Sequence, residues 1–212
     1  ITPPAGFAEA GGVAAAVAFL FLFYFANVKP ILAARSILKA LQLNQTHEPA
    51  GKVDALITDF QKGIKLNSFG TMELREQMSQ VAGALMKDQS IANQDKGKFL
   101  SFAIDELEAQ RARFPSDMRA KAFLATLYSA ASRPNEAIQV VNEALAISDR
   151  RQQFYFVAAE AYLNAGQNGR AIAALRRAYE LAPDYQEAIV NLATVLIISG
   201  KEDEAESLLE KH

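Results

Sequence analysis

Three patterns of apolar and polar residues follow one another along the chain, and each predicts a different kind of helix. The first is unbroken: from Ala10 to Val28 nineteen residues pass without a charge, and from Val13 the run is apolar on all sides. As a helix it spans ~28 Å, close to the ~30 Å of a bilayer's hydrocarbon. Such a helix cannot stand in water, so it requires lipid or the inside of a bundle of like helices. A signal peptide fits less well, because Glu9 precedes the run and no basic region does. Residues 1–12, rich in proline and glycine, are expected to begin as an extended arm.

The second pattern starts at Lys29 and Pro30, where a helix can restart or kink. In ILAARSILKAL, Ile31, Ala34, Leu38 and Leu41 form one stripe, with Arg35 and Lys39 elsewhere, so residues 13–43 read as a hydrophobic helix with an amphipathic continuation. A polar loop follows, with the one N-x-S/T sequon, Asn44-Gln45-Thr46, and His47.

The third pattern is repetitive. Residues 152–185 read as a helical hairpin: Tyr155, Ala158, Ala159 and Tyr162 at helical spacing, a break at Gly166 and Gly169, then Ala171, Leu175 and Ala178 on one face before Pro183. Ala137, Ala171 and Ala205 stand 34 residues apart. In residues 118–151 the corresponding positions are Leu124, Ala125, Tyr128, Ala137, Val141 and Ala144, with Asp149 in place of proline. In residues 186–212 they are Ile189, Leu192, Ala193, Leu196, Gly200, Ala205 and Leu209. This pattern resembles the tetratricopeptide repeat. Residues 44–117 read as degenerate helical repeats, with Leu56, Phe60 and Gly63, and later Ala103 and Leu107, in second-helix positions. The polar SIANQDKGK predicts an insertion or helix extension between residues 86 and 97.

The resemblance implies an all-α protein: an N-terminal hydrophobic helix followed by a right-handed α-solenoid of about three to four helix pairs. Its expected core includes Leu124, Tyr128, Val141, Leu145, Tyr155, Tyr162, Leu175, Tyr179, Leu192 and Leu196. It also implies a groove lined by the first helix of each pair. Its candidates are Arg119, Thr126 and Ser129, then Gln153, Phe156, Glu160 and Asn164, then Glu187, Asn191 and Thr194. The paired lysine and asparagine with which some relatives hold a peptide carboxylate are missing, since Ala122 and Thr126 stand at two of those positions. A second resemblance, carried by NVKPILAARSILKAL and LNSFGTMELREQM, is to the C-terminal tail of bacterial membrane proteins of the O-antigen ligase and polymerase type, without any sugar-transfer site.

Composition narrows function by exclusion. Half of the 212 residues are apolar, enough for one solenoid core. A net charge of −2 argues against a nucleic-acid surface, and the arginines at 111, 113, 119, 170, 176 and 177 are interleaved with acids as on a solvated helix face. There is no cysteine, and His47 and His212 have no ligand or acid at metal or triad spacing, so no enzyme, cofactor or metal is expected. The partners expected are a second copy of the chain or a protein or peptide in the groove, with a membrane through residues 10–28.

A self-assembling scaffold, a subunit of a homopolymeric extracellular filament, is the leading expectation. The chain begins at Ile1 rather than methionine, so it is expected to be either processed or a segment of something longer, and Leu208 and Leu209 have no obvious partner. Val13, Val17, Phe19, Leu20, Phe21, Leu22, Phe23 and Phe25 would join copies in a bundle, and Leu196, Leu208 and Leu209 would join them head to tail. The architecture resembles pilin-like filaments, though Ala5 stands where their acidic residue falls. The alternatives are a membrane-anchored adaptor, with Lys29, Arg35 and Lys39 keeping the repeats cytoplasmic, and the tail of the ligase-like enzyme. The setting expected is membrane-associated or extracellular at a bacterial or archaeal cell surface.

Overall fold

The computed structural model describes residues 5–45, 51–68 and 70–212, with side chains from residue 12 onward. The described residues are helical and contain no strand. They fall into two compact units, Ile1–Val81 and Ala82–His212.

In the first unit, α1 runs Ala5–Phe23, a π-helical turn spans Tyr24–Val28, and α2 continues through Lys29–Asn44. Residues 5–12 are therefore helical, not extended. Alanines at 5, 8 and 10 adjoin a long helix already nucleated, and this outweighs the glycines. At Lys29 the helix does not stop: the Lys29 N–H donates to the Tyr24 oxygen, five residues back, and this wider turn accommodates Pro30 without a break. The sequon's Thr46 and His47 lie outside the described residues.

α3 spans Lys52–Lys65 and packs on α2. The buried face of α2 is Ala33 and Ala40, while Ile31 and Leu38 of the expected stripe are exposed. Small residues win this face because the two helices approach closely. A Cβ on Gly63 of α3 would lie 2.8 Å from Leu74 Cδ1 and 3.0 Å from Ser36 Cβ. Leu56 and Phe60 fill the remaining core, and Lys39 Nζ meets the buried Asp59 carboxylate at 3.1 Å. Lys52 Nζ donates to the Asn44 oxygen at 2.8 Å, occupying an orphan carbonyl at the end of α2.

α4 spans Thr71–Lys87, and the unit boundary falls within it. α5 spans Asn93–Arg113, so the polar NQDKGK begins this helix and is the extension the spacing required, not an inserted loop. The pairs that follow are α6 (Met118–Ala130) with α7 (Pro134–Ile147), α8 (Gln152–Asn164) with α9 (Asn168–Leu181), and α10 (Gln186–Ile198) with α11 (Glu202–Glu210). Their starts at 118, 152 and 186, and at 134, 168 and 202, keep the 34-residue period.

Each first helix ends in the same way. The N–H groups of Arg133, Gln167 and Lys201 donate to the oxygens of Tyr128, Tyr162 and Leu196, and the residue before each donor is left-handed. Two of these are Gly166 and Gly200, but the third is Ser132 at φ 57°, a conformation that costs a residue with a Cβ.

The core of the second unit is alanine-rich where helices cross: Ala125, Ala137, Ala159, Ala171, Ala193 and Ala205 are all buried. Of the expected core, Leu124, Tyr128, Val141, Leu175, Leu192 and Leu196 are buried. Leu145, Tyr155, Tyr162 and Tyr179 are only half-buried, because each tyrosine turns its hydroxyl outward to a partner, such as Asp149 O at 3.0 Å for Tyr155. Phe154, one position away, is buried in place of Tyr155.

Arg111 is no solvated arginine. It bridges Glu108 at 2.9 Å and Glu143 at 2.5 Å, tying α5 to α7, while the buried Lys121 of α6 reaches Glu143 at 3.4 Å. Tyr128 donates to Glu108 at 2.6 Å, and burial, aided by that bond, pushes its hydroxyl up to about 12. The Glu143 carboxyl is held below the usual carboxylate range, chiefly by the hydrogen bond from Arg111.

Candidate protein-binding cleft

Gln153, Phe156 and Glu160 lie at i, i+3 and i+7 on α8, and Glu187, Asn191 and Thr194 at i, i+4 and i+7 on α10. Both series therefore form one side of a helix. The structure brings these six together around a cleft of about 440 Å³. Besides Ala159, its apolar part includes Val157 and Leu163 of α8, Leu175 of α9, and Val195 and Ile198 of α10. None of these five is among the groove candidates, although Leu175 is expected in the core. Their signal was present, since Val157, Val195 and Ile198 each follow a polar groove residue by four positions, on the adjacent row of the same helix.

Two aromatic rings mark one edge. Phe156 stacks on Tyr185 with centroids 6.3 Å apart, and the Tyr185 hydroxyl donates to Glu187 at 2.7 Å. Glu160 is exposed to solvent along one side, yet the cleft wall crowds its carboxyl enough that desolvation raises its pKa, and no other group contributes to that shift. No lysine, arginine or histidine lines the cleft.

The other candidates fall elsewhere. Arg119 and Thr126 on α6 and Asn164 on α8 are exposed but do not line this cleft. Ser129 is buried, its hydroxyl without a partner. It is one row out: its equivalent 34 residues on is Leu163, which belongs to the apolar part of the cleft and not its rim.

The assembly candidates divide as well. Val13, Val17, Phe19, Leu20, Phe21, Leu22, Phe23 and Phe25 are all exposed, between 39% and 65%. Leu196 is only 2% exposed and cannot serve a head-to-tail contact, because it sits at the Tyr128 and Tyr162 position, among the side chains that close its own helix pair. Leu208 is half-buried and Leu209 is 48% exposed. Among the described residues no three histidine, aspartate or glutamate side chains converge as a metal site requires.

Residues 162–212 match the family model for the tetratricopeptide repeat. Solved structures agree in fold. A thermophilic tetratricopeptide-repeat protein of Thermus thermophilus, TTC0263, is 21% identical over 84% of this chain and 89% of its own, with a TM-score of 0.55. MamA 41-end from Desulfovibrio magneticus RS-1 is 15% identical over 86% of this chain and 92% of its own, with a TM-score of 0.58. Residues 162–212 thus carry the tetratricopeptide-repeat pattern, and the described residues share the all-α fold of these solved proteins, preceded by an N-terminal apolar helix. No curated protein matches it, and nothing ties its N-terminal part to the O-antigen ligase and polymerase proteins. No catalytic family is matched.

Proposed function

We propose that this protein is a membrane-tethered adaptor: α1 and the π-helical turn lie in lipid, and the repeats offer the cleft between α8 and α10 to a protein partner. One observation carries this reading. Every side chain from residue 12 to residue 27 is exposed and none is charged. Nine of the side chains in residues 13–28 are valine, leucine or phenylalanine, each contributing ~1.5–3 kcal/mol on full burial. The helix candidate for a span, Gly12–Asn44, has none of its most apolar window buried within the chain. Lys29 sits 4.2 Å from the Phe25 ring at the end of the apolar run, as a cation at a lipid–water boundary would. With Arg35 and Lys39 it favours a cytoplasmic position for the repeats. Alkaline extraction of membranes from cells making the full chain tests the tether. The chain is expected in the lipid pellet, and its complete release into the supernatant would refute the reading.

The same exposed helix supports a second reading, a homopolymeric filament with that helix in a bundle of copies. Since Leu196 is buried, head-to-tail contacts would fall to Ile197, Ile198 and Leu209, which are exposed. Electron microscopy of detergent-free material distinguishes the two: regular fibres containing this chain favour the filament, and their absence favours the tether.

A further inference from the structure

We propose that the cleft selects a peptide segment in which a lysine or arginine stands beside a bulky apolar residue. The inference rests on the adaptor reading and adds the chemistry of the partner. Three features converge on it. The cleft's apolar part, Val157, Leu163 and Val195 among it, rewards burial of an aliphatic or aromatic anchor. Carboxylates stand on both walls, Glu160 on α8 and Glu187 on α10, and no cation lines the space. Glu187 has the Tyr185 hydroxyl, but Glu160 has neither a hydrogen bond nor an ion pair with any described residue.

The charge state of the occupant follows from what each alternative does to Glu160. An apolar occupant alone would strip water from an unpaired carboxylate, which is costly, and an acidic one would add repulsion. A lysine or arginine supplies the missing partner through a charge-assisted hydrogen bond, and the Phe156 ring gives it a face on which to rest. Burial, which raises the Glu160 pKa with no charged neighbour to oppose it, agrees with a site that lacks its cation.

The test uses the full chain in micelles of an uncharged detergent and a fluorescein-labelled, N-acetylated peptide alternating lysine and leucine, read by fluorescence anisotropy. Twins replace lysine by glutamate or leucine by serine. The lysine–leucine peptide is expected to bind, and each twin to bind at least about tenfold more weakly. Glu160→Gln should weaken binding about tenfold, whereas Glu180→Gln, which alters a carboxylate paired with Arg177 outside the cleft, should leave it unchanged. Thr194→Trp, which fills the cleft from an exposed position, should abolish binding while the circular-dichroism melt stays intact. Equal binding of the glutamate twin, absence of binding, or indifference to Glu160→Gln overturns the proposal. A photo-cross-linker at position 194 in cells separates the two levels: a cross-linked partner segment without a cation removes this inference alone, and no protein cross-link removes the adaptor reading.

Discussion

α1 from Gly12 onward and α10 are both strongly apolar, yet α10 buries a face and the described side chains of α1 bury none. In α10, Glu187, Asn191 and Thr194 interrupt the apolar residues on one side, so Ala188, Ile189, Leu192, Ala193, Val195 and Leu196 turn inward and a polar stripe meets water. From Val13 to Ala26 nothing interrupts, and no face is distinguished from another. Hydrophobic content therefore does not locate a core; the spacing of the polar residues does.

The largest effect that would sharpen this contrast comes from placing the same charge in each helix. Leu192→Asp buries a carboxylate in the repeat core and should cost more than about 4 kcal/mol, eliminating the cooperative melt of the repeats. Leu20→Asp should leave that melt unmoved while costing about 2.5–3.5 kcal/mol of membrane insertion, read as a shift from pellet to supernatant on extraction. If both variants lost the melt, α1 would be part of a folded core and the contrast would fail.

Next in size is overpacking. Ala159→Leu, at a buried helix crossing, should cost about 1–3 kcal/mol by chemical denaturation, whereas Ala16→Leu, in the exposed rod, should cost the folded repeats nothing. An unchanged midpoint for Ala159→Leu would contradict the register assigned to the repeats.

The charged network within the repeats gives an effect of similar or smaller size. Glu143→Gln leaves the buried Lys121 and the half-buried Arg111 with a weaker partner, and about 1–2 kcal/mol of stability should be lost near neutrality. The pH dependence follows from the direction of the Glu143 shift. Its carboxyl is held low by Arg111, so its contribution is present above the ordinary carboxylate pKa and disappears as pH falls through the lowered folded-state value. Glu160 has the opposite sign: its pKa is raised by burial, so its charged form opposes folding and acidification relieves that opposition. Melts between about pH 3 and 6 should therefore show a shallower acid loss for Glu143→Gln and a steeper one for Glu160→Gln than for the parent chain.

The smallest change should be a gain. Ser132 occupies the left-handed position that Gly166 and Gly200 fill in the following pairs, so Ser132→Gly should raise stability by up to about 1 kcal/mol. A loss on this substitution would mean that the serine makes a compensating contact in the folded chain.

The repeats were legible because their period is carried by small residues: Ala137, Ala171 and Ala205 stand where helices must touch, and only a small side chain fits. Six of the ten groove candidates meet at one cleft for the same reason, since position along a helix sets the side it faces. What the sequence hid were cases where size and polarity pull apart. In α2 the inward stripe is alanine and the larger Ile31 and Leu38 face out, so a reading that equates large apolar residues with burial selects the wrong side. The half-buried tyrosines are a second case, their rings packed and their hydroxyls wet. Ser129 is a third, a polar residue drawn into the row that Leu163 fills one repeat later.

The central claim, that the apolar helix lies in lipid while the repeats lie in water, can be measured on one preparation. The chain has no cysteine, so a single nitroxide label can be placed through Leu20→Cys or Thr194→Cys without background. In liposomes, power-saturation electron paramagnetic resonance should find the label at position 20 open to oxygen and shielded from a polar nickel chelate, and the label at position 194 open to the chelate. A label at position 20 shielded from both reagents would place the helix inside a protein bundle, and one open to the chelate would place it in water; either result would contradict the account.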